Sequence, residues 1–228
     1  MRLRSFGMTI CGLLVGVAAS ADTSDSSGLP PPSGLQACPA DDPIATLEGR
    51  LAARLGGEYL GCFRSVRTTV PPGAVGVAPT PVEYAFGMAL RDRDYRLADV
   101  DNLLSTVKQQ WKDFDPLSKE FKDSYTARLN ALIKNSGSAA ASDVVSVRPV
   151  LVSIERGPGD YYTVTSIRTY VVDLNGRRIT STKVNSDGVA LRGSQLVRLT
   201  IQRALSDPSD VAQVEHEMAD WARSITAH

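Results

Sequence analysis

The run Tyr161-Tyr162-Thr163-Val164-Thr165-Ser166-Ile167-Arg168-Thr169-Tyr170-Val171-Val172-Asp173-Leu174-Asn175-Gly176-Arg177-Arg178-Ile179-Thr180-Ser181-Thr182-Lys183-Val184 reads as two strands and the turn between them. Valine, isoleucine, threonine and tyrosine crowd both arms, and these side chains fit a pleated surface. Asn175-Gly176 is the strongest two-residue hairpin signal, because both positions tolerate the positive φ of a type I′ turn. Upstream, Val144 to Glu155 is a further β-branched run, joined to Tyr161 through the turn Gly157-Pro158-Gly159-Asp160. The three runs predict an antiparallel meander over about residues 144–184.

The two-residue turn sets the register. Leu174 faces Arg177, Asp173 faces Arg178, and Arg168 faces Lys183. The second pair is a favourable cross-strand ion pair, whereas the third sets like charges side by side, next to Tyr170 and Ser181. Such a repulsion is tolerable if both long side chains fan into water. It is useful if an anionic group or an acidic partner lands there. Arg168, Tyr170 and Lys183 are therefore the expected partner-binding residues.

Outside the meander the period changes to that of helices. Ile44, Leu47, Leu51 and Leu55 recur at helical spacing until Gly56-Gly57, and a short helix is predicted over 82–92. Residues 70–81 are proline- and glycine-dense and read as a loop. Val100, Leu103, Leu104, Val107, Trp111 and Phe114 mark one helix, with Asp99 as its expected N-cap. After Asp115-Pro116, the residues Phe121, Tyr125, Leu129, Leu132 and Ile133 mark a second, so the two form an antiparallel hairpin. Residues 136–143 (Ser-Gly-Ser-Ala-Ala-Ala-Ser-Asp) read as a hinge. Past Asn185-Ser186-Asp187-Gly188, taken as a turn, Leu196, Leu199 and Arg203 predict a helix ending near Leu205. Asp207-Pro208 then starts a last helix through Val211, Val214, Met218, Trp221 and Ile225. The expected architecture is α+β: the meander packed with the N-terminal helices (44–135) and a C-terminal helix pair, as one globular unit.

The N-terminus reads as an export signal. Met1-Arg2-Leu3-Arg4 is positive, Phe6 to Val17 is apolar but too short to span a bilayer, and Ala19-Ser20-Ala21 offers small residues for cleavage before Asp22. Residues 22–43, rich in serine, proline and glycine, follow as a flexible leader. Cys11 leaves with residues 1–21, so the mature chain keeps Cys38 and Cys62, an even pair for an oxidising compartment and an expected disulfide. No Asn-x-Ser/Thr sequon occurs, which fits a bacterial periplasm or a secreted location.

Removing residues 1–21 deletes Arg2 and Arg4 and no acid, leaving 23 basic against 25 acidic residues. That balance disfavours a nucleic-acid partner and a polybasic lipid contact. Two histidines, His216 and His228, and no Gly-x-Ser-x-Gly elbow leave little for triad chemistry. Glu215-His216-Glu217 with Asp220 lacks the second histidine of a zinc helix and reads as a solvated face. Glu83 and Asp92 are candidates for a carboxylate pair, both surface residues by context. No phosphate loop or metal constellation appears, so no cofactor is expected and no catalytic residue is assigned. The expected function is non-enzymatic protein binding, most concretely as an inhibitor or immunity protein that neutralises an envelope-acting toxin. The alternatives are an accessory component of an envelope assembly or transport complex, and a carboxylate-based hydrolase.

Overall fold

The computed structural model describes residues 28–54, 56–69, 80–90, 92–113, 142–174 and 177–227, together with Asp123. The expected three-stranded α+β arrangement is overturned: the fold is mostly sheet, built on a single seven-stranded antiparallel sheet. In chain order the elements are β1 (Gln36–Ala37), α1 (Pro43–Arg54), β2 (Gly57–Arg64), β3 (Thr68–Thr69), β4 (Thr80–Pro81), β5 (Glu83–Leu90), α2 (Leu97–Lys112), β6 (Ser142–Arg156), β7 (Tyr161–Leu174), β8 (Arg177–Arg192), β9 (Gln195–Ala204) and α3 (Ser209–Thr226). The sheet runs β1-β2-β5-β9-β8-β7-β6, and β3 pairs with β4 in a separate ladder. The expected signal at 1–21, residues 70–79 of the loop, the second helix of the hairpin apart from Asp123, the hinge up to 141 and the Asn175-Gly176 turn lie outside the described residues.

The meander itself is present, as β6, β7 and β8, and its register is the predicted one: Leu174↔Arg177, Asp173↔Arg178 and Arg168↔Lys183. The errors lie beside it. Residues 82–92, expected as a helix, carry β5, every residue of which is buried. The first member of the expected C-terminal helix pair is β9. Both are central strands covered on two sides, so their apolar residues run together instead of alternating, and period alone cannot tell such a run from a helix. Asn185-Ser186-Asp187-Gly188 continues β8 up to Arg192, and the real hairpin follows, with Gly193 at φ 60. Asp99 is not the N-cap of α2. It sits one turn in, where its Oδ2 accepts the Arg96 N–H at 2.8 Å.

Helix α3 lies on one face of the sheet. Val214, Met218, Trp221, Ala222 and Ile225 meet Val197, Leu199 and Ile201 of β9 and Ala190 of β8. The approach is close enough that a Cβ at Gly188 would come within 2.8 Å of the Met218 sulfur. Part of the expected flexible leader belongs to this layer: Leu29 and Leu35 are buried in it, and Trp221 Nε1 donates to the Pro30 carbonyl at 2.8 Å. Burying two leucines and satisfying an indole holds this stretch against the sheet. The opposite face is shared by α2, over Tyr162, Val164, Val189, Leu191 and Leu196, and by α1, whose Ile44 packs on Cys62, Tyr84 and Phe86.

Cys38 and Cys62 form the expected disulfide, with a sequence separation of 24. It fastens the end of β1 to β2, beside the hydrogen bond from Cys38 N to Cys62 O. Asp42 caps α1 ahead of Pro43: its Oδ1 accepts the Ile44 N–H at 2.9 Å and its Oδ2 pairs with Arg64 at 3.0 Å. Asp42 lies close to both sulfurs, but a disulfide has no thiolate to offer a metal. Closing a loop of this length is worth about 3 kcal/mol in the chain-entropy model. The Cys38→Ala/Cys62→Ala double variant should therefore unfold at a markedly lower urea concentration, and reduced wild type should match it. An unchanged midpoint in both would show that the bridge adds nothing.

Candidate functional site

The face between α1 and α2 carries an unusual density of buried polar groups, and the predicted partner-binding residues lie within it. Arg168 is 1% exposed and Tyr170 is likewise buried; Lys183 is half-buried. They do not form an exposed patch. Arg168 turns away from Lys183, donating from Nε to Ser166 Oγ at 3.1 Å and from Nη2 to Asp187 Oδ2 at 2.9 Å. Asp187 completes the link across the sheet by accepting the Thr200 hydroxyl on Oδ1 at 2.9 Å. The expected like-charge clash is thus resolved by a carboxylate four residues further along β8. Sequence reading placed Asp187 in a turn, where it could answer no charge on β7.

Next to this link, Leu103, Thr106, Val107 and Gln110 of α2 stand over Tyr162, Val164, Val189, Leu196, Asp187 and Arg198, enclosing a cleft of about 70 Å³. Its walls are mainly apolar. Burial pushes the Tyr162 hydroxyl up to about 12, so it stays protonated there. Deeper in the same polar layer, Asn185 is completely buried with neither end of its amide hydrogen-bonded, and Gln202, facing it on β9, leaves Nε2 in the same condition.

A second buried charge cluster sits on the α3 face. Arg203 of β9 donates from Nη2 to Glu83 of β5 at 2.6 Å and to both Glu217 oxygens at 2.8 and 2.7 Å, and from Nη1 to Gln213 at 2.8 Å. Glu83 is therefore not the surface residue expected. Burial, opposed by Arg203 and reinforced by Glu217, pushes its carboxyl up to about 7. Asp92 follows the far end of β5, whose length from Glu83 to Leu90 is roughly 23 Å at strand spacing, too far for the paired carboxylates of glycoside hydrolysis. The Glu215–Asp220 stretch divides: His216 and Asp220 pair at 3.2 Å on the exposed side, whereas Glu215 accepts the Ser153 hydroxyl and Glu217 joins Arg203.

Open surface of the right kind lies elsewhere, on β6. Among the described residues this strand is the last of the sheet, paired with β7 alone. Of the six exposed large apolar residues among those described, four are here: Val145, Val150, Leu151 and Val152. Val150 is 60% exposed. The ladder with β7 slips between Val144 and Ser146 and again between Leu151 and Ser153, so Val145 and Val152 are the extra residues of two bulges. The sequence signal for this was the doubled apolar run Val150-Leu151-Val152, which breaks strict alternation without a helical period.

The chain matches no known protein-family model and no curated protein sequence. Its function must be read from its own geometry.

Proposed function

We propose that this is an exported, non-enzymatic protein that acts by binding another protein, and that the open edge of β6 is its docking element. The supporting observation is the exposed set Val145, Val150, Leu151 and Val152 on an edge strand of 15 residues. An edge strand presents unpaired N–H and C=O groups, and exposed apolar side chains beside them add contact area for an extended segment laid alongside. Most edge strands are blunted; here Pro149 and the bulges do so in part, without removing the valines from the surface. In its concrete form, the protein neutralises an envelope-acting toxin by occupying it. The Cys38–Cys62 disulfide is compatible with a periplasmic or secreted location, as is the finding that no helix among the described residues is long and apolar enough to cross a membrane.

Affinity purification from envelope extract tests the docking element. A stoichiometric protein should be recovered with wild type and with Lys183→Glu, and lost with Val150→Lys, while the circular dichroism melts of all three agree. Equal recovery with wild type and both variants would remove β6 as the site, and loss with Lys183→Glu alone would return attention to the buried face.

A further inference from the structure

Resting on the reading of β6 as the docking edge, we infer that in the absence of its protein partner that edge is occupied by a second copy of this chain, which the partner displaces, paired antiparallel about a two-fold axis between Leu151 and Val152. The argument starts from side-chain parity. Without irregularities, residues an odd number apart on a strand face opposite sides of the sheet. The extra residue Val152 changes this. Arg148, Val150, Ser153 and Glu155 oppose Thr169, Ile167, Thr165 and Thr163 of β7 and so share one face. Pro149, Leu151 and Ile154 oppose Arg168, Ser166 and Val164 and share the other.

Fold this strand back on a copy of itself about the Leu151–Val152 midpoint. Arg148 then faces Glu155, Pro149 faces Ile154, Val150 faces Ser153, and Leu151 faces the partner's Val152. The first three pairs join residues of like parity, as antiparallel neighbours must be. Two Arg–Glu pairs form, one at each side of the axis. Both residues are exposed, and neither has an ion-pair partner among the described residues. Val150, Leu151 and Val152, the most continuous exposed apolar run in the described chain, lie at the centre. The bulge thus makes the strand self-complementary in charge and face. Pro149 has no N–H to give, so each copy forgoes one ladder bond. Among the described residues, α2 and α3 pack chiefly on β7, β8 and β9, inward of the edge, and touch β6 at Arg156 and Ser153.

The test is sedimentation equilibrium on the mature chain with charge reversals. Wild type should be a dimer. Arg148→Glu faces two carboxylates with carboxylates, Glu155→Arg faces two guanidinium groups with their like, and each variant should dissociate at least about tenfold more readily. Mixed in equal amounts, the two variants complement one another at both pairs and should re-form a mixed dimer. Far-ultraviolet circular dichroism spectra equal to wild type and cooperative melts would confirm that both variants fold. A dimer unmoved by either reversal, or two weakened variants that fail to combine, overturns the inference. So does a monomeric wild type. If that monomer still recovers an envelope protein through Val150, the docking edge stands and the self-pairing alone falls; if Val150→Lys changes nothing, both fall.

Discussion

Asp187→Ala should destabilise the protein by about 3 kcal/mol, the lower end of what is expected when one member of a buried ion pair is removed. The reason is what the substitution leaves behind. Arg168 is 1% exposed and always charged, and its Nη2 bond to Asp187 at 2.9 Å is a charge-assisted contact that helps to compensate its loss of water. The same change strands the Thr200 hydroxyl, now without its carboxylate acceptor. Asp187→Asn keeps the shape and one of the two acceptor oxygens but no charge, and should cost less. The double variant Arg168→Met/Asp187→Leu removes the charges together and should recover most of the loss, because a buried pair and a packed apolar pair are close in free energy. Urea unfolding of wild type, Arg168→Met, Asp187→Leu and the double variant gives a double-mutant cycle. If Asp187→Ala costs less than about 1 kcal/mol, the arginine reaches water in the variant and the link is not what holds β7, β8 and β9 together on this face.

The same residues show why part of the fold was legible and part was not. Asn175-Gly176 carries its conformational demand locally, so a turn between two β-branched runs gives both strands and their register without knowledge of anything distant. Val214, Met218, Trp221 and Ile225 likewise announce α3, since a helix with one buried face keeps its period. The two-sided strands do not. Glu83–Leu90 has no polar face because helices or chain cover both sides, and Leu196, Leu199 and Arg203 of β9 coincide with a helical spacing by accident of a fully buried strand. Polar composition misled in the other direction: Asn185, Ser186 and Asp187 look like turn residues, yet their partners lie across the sheet, as in the Thr165–Ser186 hydroxyl pair at 3.0 Å. Whether a polar residue is buried depends on contacts distant in sequence, which explains why Arg168 was expected at the surface and Glu83 with it. The exposed edge of β6 has the same origin, for only the strand order shows that β6 stands last in the seven-stranded sheet among the described residues.

Arg203→Met should be the most pH-dependent substitution in the protein. In wild type, one guanidinium faces two carboxylates, Glu83 at 2.6 Å and Glu217 at 2.7 Å. Burial, with Glu217 beside it, raises the Glu83 carboxyl to about 7 even against the pull of Arg203. A folded-state value above the ordinary 4.5 means that the folded protein holds a proton which the unfolded chain releases. The stability contributed by that proton is therefore fully present below about pH 4.5 and is lost as pH rises through about 7. Glu83→Gln, which keeps the shape and the acceptor oxygen, should flatten this decline in urea midpoints measured from pH 4.5 to 8. Without Arg203 the only cation of the cluster is gone, and the Glu83 carboxyl moves further up. Arg203→Met should then cost about 1.4 kcal/mol more at pH 8 than near pH 4.5, because the folded variant keeps at pH 8 a proton that wild type gives up one pH unit lower. Combining Glu83→Gln with Arg203→Met should abolish most of the growth with pH, because the group that titrates has been removed. A cost for Arg203→Met that is the same at pH 4.5 and pH 8 would mean that Arg203 does not govern the Glu83 titration, and growth well beyond about 1.4 kcal/mol would mean that Glu83 is already ionised in wild type, an ordinary ion pair rather than a carboxyl held neutral by its burial.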